Sequence, residues 1–356
     1  MIREKISKRE GVSLVILALV VLILLPIYDE ALSQPKSAPA KKTYNLKFLD
    51  IYPLASPASK TQKQFFCERV TQLSGGRIKI KIYPIGTLAD TPEYPEMVRD
   101  GTADIAYLFN AYYADRFPLA EVWSLPFLVD SYRQAVDMSR ELFKTVPGLR
   151  DPLDRYNLKP LWYTNGHTAL IQTKKPVKTL NDMKGLKLVT AGGLRNRTVK
   201  SLGAVPLTVP PGDTYSALQS GVGDGLYMAA FFQELHKFYE VAPYFLNTPK
   251  IIIAPLAMTV INKKLWNSMS KEDQEIIQRA ALEEECVSFL EYEKEDAEVL
   301  DRMKAKGCTI NMMSNTEMAK FKESTKMVHS EWINANPGGS EVIKRVEAWK
   351  SAHPDY

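Results

Sequence analysis

Gly75-Gly-Arg-Ile-Lys-Ile-Lys-Ile82 decides the fold class, because a double-glycine helix stop runs straight into a strand. In that strand Ile78, Ile80 and Ile82 alternate with Lys79 and Lys81. Upstream, Phe66, Val70 and Leu73 recur at helical spacing behind Ser56-Pro57, a cap followed by proline at the first helical position. Further back, Tyr44, Leu46 and Phe48 alternate as in a strand. Downstream, a short helix over Glu93–Asp100 ends at Gly101, and Asp104-Ile-Ala-Tyr-Leu108 follows as a buried strand. Strand–helix–strand–helix–strand predicts a parallel α/β sheet.

The pattern then repeats. Gly185-Leu-Lys-Leu-Val189 reads as a strand, Gly192-Gly193 opens a helix through Leu202, and Val205–Val209 is the next strand. A short helix over Asp213–Ser220 and the strand Gly225-Leu-Tyr-Met228 complete the unit. The stretches Leu161–Thr173 and Ile251–Ile261 can cross between the two units, which predicts a hinged molecule of two lobes with a cleft between them. Lys271–Lys306 holds neither Gly nor Pro and is patterned as one helix, at ~1.5 Å per residue longer than a lobe. Cys308–Met312 reads as a strand and Thr316–Asn334 as the last helix. Gly221-Val-Gly-Asp-Gly225 precedes a strand rather than opening a helix, so it reads as a tight turn and not as a phosphate loop.

The 356 residues carry 24% charge and 45% apolar content, an ordinary globular composition of about two domains. Forty-six basic residues against 41 acidic ones give a net +5, spread without a basic stripe, which argues against nucleic acid. Cys67, Cys286 and Cys308 lack metal-ligand spacing and read as small buried hydrophobes, and the four histidines have no i, i+4 pair, so no metal or cofactor is expected. Glu283-Glu-Glu285 reads as a solvated helix face. Arg3, Lys5, Lys8 and Arg9 precede the apolar run Val12–Leu25, the pattern of a secretory signal over residues 1–33, with Ala31-Leu-Ser33 as its cleavage site. Left uncleaved, the same run is an inner-membrane anchor. Residues 34–42 read as a tether, and the folded protein is expected in the periplasm.

Taken in order, several motifs resemble the DctP-type solute-binding proteins of tripartite ATP-independent periplasmic (TRAP) transporters. They are Gly76-Arg-Ile-Lys-Ile-Lys-Ile-Tyr-Pro84, Gly101-Thr-Ala-Asp-Ile105, Leu125-Pro-Phe-Leu128, Leu180-Asn-Asp-Met-Lys-Gly-Leu-Lys187, Leu202-Gly-Ala-Val-Pro206, Tyr215–Gly225 and Lys237-Phe-Tyr-Glu240. The resemblance implies an α/β periplasmic-binding-protein clamshell with a long helix linking the lobes. It also implies no enzymatic activity, and delivery of a small organic solute to TRAP membrane permease subunits. The lobes are expected at 43–165 with 254–293 and at 166–253 with 294–356, in a monomer.

Departures from the family bear on the solute. The family commonly has a carboxylate-binding arginine where this chain has Val189, an arginine where it has Thr168, and an asparagine where it has Met228. Simple dicarboxylates are therefore expected to bind poorly. An aromatic or otherwise apolar solute with at most one carboxylate is favoured. The candidate site comprises Tyr107, Phe109, Asn110, Asn165, His167, Val189, Arg195, Tyr227, Met228 and Phe231, with Tyr112 nearby. Arg195 follows Gly192-Gly193 at a helix start and reads either as the replacement for the missing cation or as a solvated helix-face arginine. Two other readings compete: a solute-sensing ectodomain of a receptor, and an exported hydrolase, for which no Gly-x-Ser-x-Gly, His-Glu-x-x-His or Walker loop speaks.

Overall fold

The computed structural model describes residues 41–56, 58–165, 167–248 and 256–356. The signal segment, nearly all of the tether and the first part of the second crossing lie outside the described residues. Within the described residues no helix is long and apolar enough to cross a membrane.

The chain begins with β1 (Tyr44–Asp50), α1 (Phe65–Leu73), β2 (Ile78–Pro84), α2 (Tyr94–Asp100) and β3 (Ile105–Phe109). Glycine at 101 takes φ +78°, the left-handed cap that ends α2. Ahead of α1, Ala58–Gln64 forms a turn wound at π spacing, with Ser59, Gln62 and Lys63 facing inward. Next come α3 (Tyr132–Thr145), capped by Ser131 Oγ accepting from Gln134 N at 3.1 Å, then α4 (Pro147–Arg155) and β4 (Leu158–Asn165). The second series is β5 (Ala169–Thr173), β6 (Lys187–Thr190), α5 (Leu194–Ser201), β7 (Val205–Thr208), α6 (Thr214–Gln219), β8 (Gly225–Ala229), α7 (Ala230–Leu235) and β9 (Tyr244–Asn247). The chain then runs through β10 (Leu256–Asn262), α8 (Lys263–Ser268), α9 (Lys271–Ala305), β11 (Thr309–Met312), α10 (Asn315–Ala335) and α11 (Gly339–Ala352).

Two sheets result, ordered β2-β1-β3-β10-β4 and β11-β9-β5-β8-β6-β7. The crossings are visible in this order: β4 ends the first sheet and β5 lies inside the second, with only residues 166–168 between them. Neither sheet is purely parallel as the sequence pattern predicts. β1, β2 and β3 run parallel, but β10 pairs antiparallel with β3 and β4, and β5 pairs antiparallel with β8 and β9. The physical reason is the crossing itself. A strand arriving from the other lobe enters from the hinge end, against the direction of strands whose carboxyl ends face the cleft.

α9 joins the lobes. Glu285 pairs with Arg140 of α3 and accepts from the Tyr163 backbone N–H of β4 at 3.0 Å. Seventeen residues on, Arg302 grips Glu234 of α7 with bonds of 3.0 and 2.8 Å. The reading of Glu283–Glu285 as a solvated face is thus wrong. Glu284 is fully buried and Glu285 nearly so, because they continue the inward stripe Ile277-Ala280-Ala281 toward Ser288 and Tyr292. Glu283 is the outermost and pairs with Arg69 and Arg279. Cys67 and Cys308 are buried as expected, but Cys286 is exposed. The C-terminal α11, absent from the sequence reading, sets Val342, Val346 and Trp349 into the core shared with α3 and with Leu119 and Trp123.

Gly225 shows why glycine recurs before β8. A Cβ there would lie 2.2 Å from Gln172 O and 3.0 Å from Thr173 Cα in the neighbouring strand β5. Gln172 cannot yield easily, since its side chain donates to Ala242 O at 2.6 Å. Gly225→Ala should cost about 3 kcal/mol in urea unfolding, at the upper end of overpacking costs. Gly223→Ala, whose Cβ would meet the Leu218 and Val189 side chains at 3.4 Å and Gly225 O at 3.7 Å, should cost far less.

Candidate functional site

The first sheet contributes the end of β3 and the turn after it. Tyr107 is fully buried, Phe109 half-buried, and Tyr112 is 56% exposed, stacked edge-on to Phe109 at 5.4 Å between ring centroids. Asn110 is 2% exposed, yet neither side-chain amide atom has a hydrogen-bond partner among the described residues. A buried amide left unsatisfied costs about 1–3 kcal/mol, so such a group marks a position where something else should bond.

The second sheet supplies Tyr227 from β8 and Arg195 from the first turn of α5. Arg195 is half-buried and makes no hydrogen bond or ion pair with any described residue. Burial lowers its pKa below the ordinary guanidinium value, opposed only by Tyr227 and by Tyr112 from the facing lobe. The Tyr227 hydroxyl is itself buried without a partner, and burial raises its pKa. A partly desolvated cation with no counter-charge among the described residues is chemically able to receive an anion. At the α5 start Thr190 Oγ1 accepts from Gly192 N at 3.0 Å and bonds Asn196, which fixes the double-glycine turn, and the Glu121 carboxylate lies beside Gly193.

Between the sheets lies the crossing. His167 Nδ1 is 2.9 Å from Asp296 Oδ1 of α9. Burial alone would raise the Asp296 pKa, but His167, Tyr132 and Thr168 outweigh it and hold the carboxyl below its usual value. An ionised carboxylate only accepts, so Nδ1 carries the proton and Nε2 is left without a described partner. The other Asp296 oxygen accepts from the Tyr132 hydroxyl and from Thr168 N at 2.9 Å. Phe231 and Tyr292 hold the imidazole ring at 4.2 and 4.6 Å between centroids.

Behind the tyrosines sits a cluster that sequence reasoning missed. Lys63 is fully buried, donates to Gln62 Oε1 at 2.7 Å, and lies 4.1 Å from the Tyr107 ring centroid and 5.0 Å from that of Tyr52. The carboxyls of Asp50 and Glu284 are buried nearby, each with one unpartnered oxygen. Burial pushes Glu284 up to about 7, against the pull of Lys63 and Ser288, and also raises Asp50. Tyr292 donates to Gln62 Oε1 at 3.3 Å and ties the cluster to α9. The signal was present: Lys63 stands on the same stripe as Phe66, Cys67 and Val70, at i+3, i+4 and i+7.

Of the sequence candidates, the structure groups Tyr107, Phe109 and Asn110 on one lobe, Arg195 and Tyr227 on the other, and His167 with Phe231 at the crossing. Val189 and Met228 lie elsewhere, buried with Leu218, Leu226 and Phe238. Thr168 is occupied by Tyr132 and Asp296. Asn165 is the last residue of β4, opposite Leu256.

A sequence model of the bacterial extracellular solute-binding protein family 7, DctP, matches residues 51–336. The chain belongs to the DctP family. As a DctP-family, TRAP-type solute-binding protein it shares 26% identity over 283 residues with the ectoine/5-hydroxyectoine-binding periplasmic protein UehA of Ruegeria pomeroyi, covering 76% of this chain and 80% of that one. It is likewise 26% identical to the sialic acid-binding periplasmic protein SiaP of Vibrio cholerae, over 79% of this chain and 86% of the relative. A TRAP periplasmic solute-binding protein from Ochrobactrum anthropi, with its C-terminus bound in the ligand pocket, superposes with a TM-score of 0.76 at 22% identity, covering 88% and 98% of the two chains. A marine metagenome TRAP protein specific for aromatic acids, in complex with 3-hydroxybenzoate, gives 0.75 at 23% identity, covering 88% and 99%. The two-lobed fold and long linking helix agree with these structures. The DctP family is periplasmic and its relatives bind solutes rather than transform them. The solutes differ from one relative to the next.

Proposed function

We propose that this DctP-family protein captures an aromatic or otherwise apolar monocarboxylate between its lobes and delivers it to TRAP membrane permease subunits. The observation that carries the reading is Arg195, half-buried and unpaired beside Tyr227 and Tyr112. One carboxylate suffices to satisfy it, with the Tyr227 hydroxyl as a second donor. Phe109, Tyr112 and Phe231 offer ring faces to the solute body, and Tyr107 is buried behind them. Asn110 and His167 Nε2 supply polar contacts along its edge. Val189 and Met228, buried in the core with Leu218, Leu226 and Phe238, make no contact with the solute in this reading. The lobes move as 43–165 with 254–293 and 166–253 with 294–356. Residues 1–33 direct export.

Thermal denaturation against a panel of organic acids tests the solute class. A ligand at a hundred times its Kd adds about 2.7 kcal/mol of apparent stability. Hydroxybenzoates and phenylacetates, the class bound by the marine metagenome neighbour, should raise the midpoint, and succinate, malate and fumarate should not. The opposite result would remove the aromatic monocarboxylate reading. The mass of any compound released on denaturing the freshly purified protein identifies the solute directly.

A further inference from the structure

We propose that the outward face of α9 is a docking surface for a second, antiparallel copy of this chain, closed by an intermolecular disulfide between the two Cys286 thiols. Leu282 and Leu290 are 45% and 62% exposed, each four residues from the exposed Cys286. Arg279 and Glu293, three residues further out on either side, are also exposed. At about 100° per residue, all five fall within about 40° of the Cys286 direction, so they form one stripe. The stripe is symmetric in spacing, 3-4-4-3 about Cys286, and antisymmetric in charge. A twofold axis through Cys286 sets Leu282 on Leu290 of the other copy and Arg279 on Glu293 of the other copy, at both ends. Like charges meet nowhere along it. Arg279 spends a single N–H on Glu283, at 3.0 Å, and its own side chain is largely exposed. The other guanidinium donors remain for a partner.

Distance favours the bond. Helices packed at about 9–10 Å, with Cα atoms about 2.3 Å from each axis, bring facing Cα atoms into the lower part of the roughly 4.4–6.8 Å range of disulfides. One helix face is small beside a standard interface of about 800 Å² per partner, so the contact is transient until the thiols are oxidised. Both thiols lose their protons and the sulfurs together give up two electrons. A disulfide oxidant, the class available outside the cytoplasm, takes up the two electrons and two protons and leaves as two thiols. Cys67 and Cys308 are buried and do not take part.

Oxidised glutathione added to the purified full-length chain is the test, read by light scattering and non-reducing gel. Doubling of mass, reversed by dithiothreitol, lost in Cys286→Ser and kept in Cys67→Ser and Cys308→Ser, is the expected result. Arg279→Glu and Glu293→Arg should each slow dimer formation about tenfold at low salt, and the double reversal should restore it, because the pairs are reciprocal. No dimer, or a dimer that survives Cys286→Ser, overturns the proposal. Dimer formation indifferent to the charge reversals also overturns it, since Cys286 would then be only a reactive surface thiol.

Discussion

Arg195→Ala should weaken binding of an aromatic monocarboxylate by roughly 2–5 kcal/mol, or about thirtyfold at the least. The size of the effect follows from what is left behind. With the solute enclosed, its carboxylate would keep only the neutral Tyr227 hydroxyl as a donor, and a charge taken from water without a counter-charge is costly. Arg195→Lys should recover part of the loss, as a point charge without the planar fork. The uncharged amide of the same solute should bind wild type and Arg195→Ala with similar affinity. Calorimetry on the four combinations reads the coupling directly. Equal affinity of both proteins for the acid would return Arg195 to the protein surface and leave a neutral solute as the better reading.

Glu284→Gln should flatten the pH dependence of stability between about pH 4.5 and 7. The Glu284 carboxyl is raised from 4.5 to about 7 by burial, so in that window the folded chain holds a proton that the unfolded chain has released. Stability from this group is therefore complete below about pH 4.5 and is lost as pH rises to about 7. At about 1.4 kcal/mol per pH unit the loss amounts to ~3 kcal/mol. Asp50, also raised by burial, leans the same way at the acid end. Urea midpoints at pH 5 and pH 8 should differ less in Glu284→Gln than in wild type. An unchanged difference would mean that Lys63 keeps Glu284 ionised throughout.

What was legible in the sequence was whatever repeats. Ile78-Lys-Ile-Lys-Ile82 could be read because one face is apolar, the strand ending at Leu108 because it is a continuous apolar run, and Gly101 because only glycine sits easily at φ +78°. Lys63 and Glu284 were not legible as site residues, because a charged side chain in a helix is ordinarily solvated. Only its place on an apolar stripe hints otherwise. The His167–Asp296 contact joins residues 129 apart and leaves no local pattern. The antiparallel entry of β5 and β10 depends on which end of the sheet the hinge occupies, and no periodicity carries that. α3 could have been found, since Ser131 caps a stripe of Ala135, Met138, Ser139 and Leu142.

The two grips of α9 make its middle a counted length. Glu285 is held at Arg140 and Tyr163 N, and Arg302 at Glu234, so everything between them must deliver the guanidinium at a fixed height and a fixed angle. One inserted residue turns that end of the helix by about 100° and lifts it by about 1.5 Å, which carries Arg302 off α7. Seven inserted residues nearly restore the angle but displace the second lobe by about 10 Å. Substitutions along this span are absorbed one at a time, whereas a change in its length is transmitted whole, from one lobe to the other.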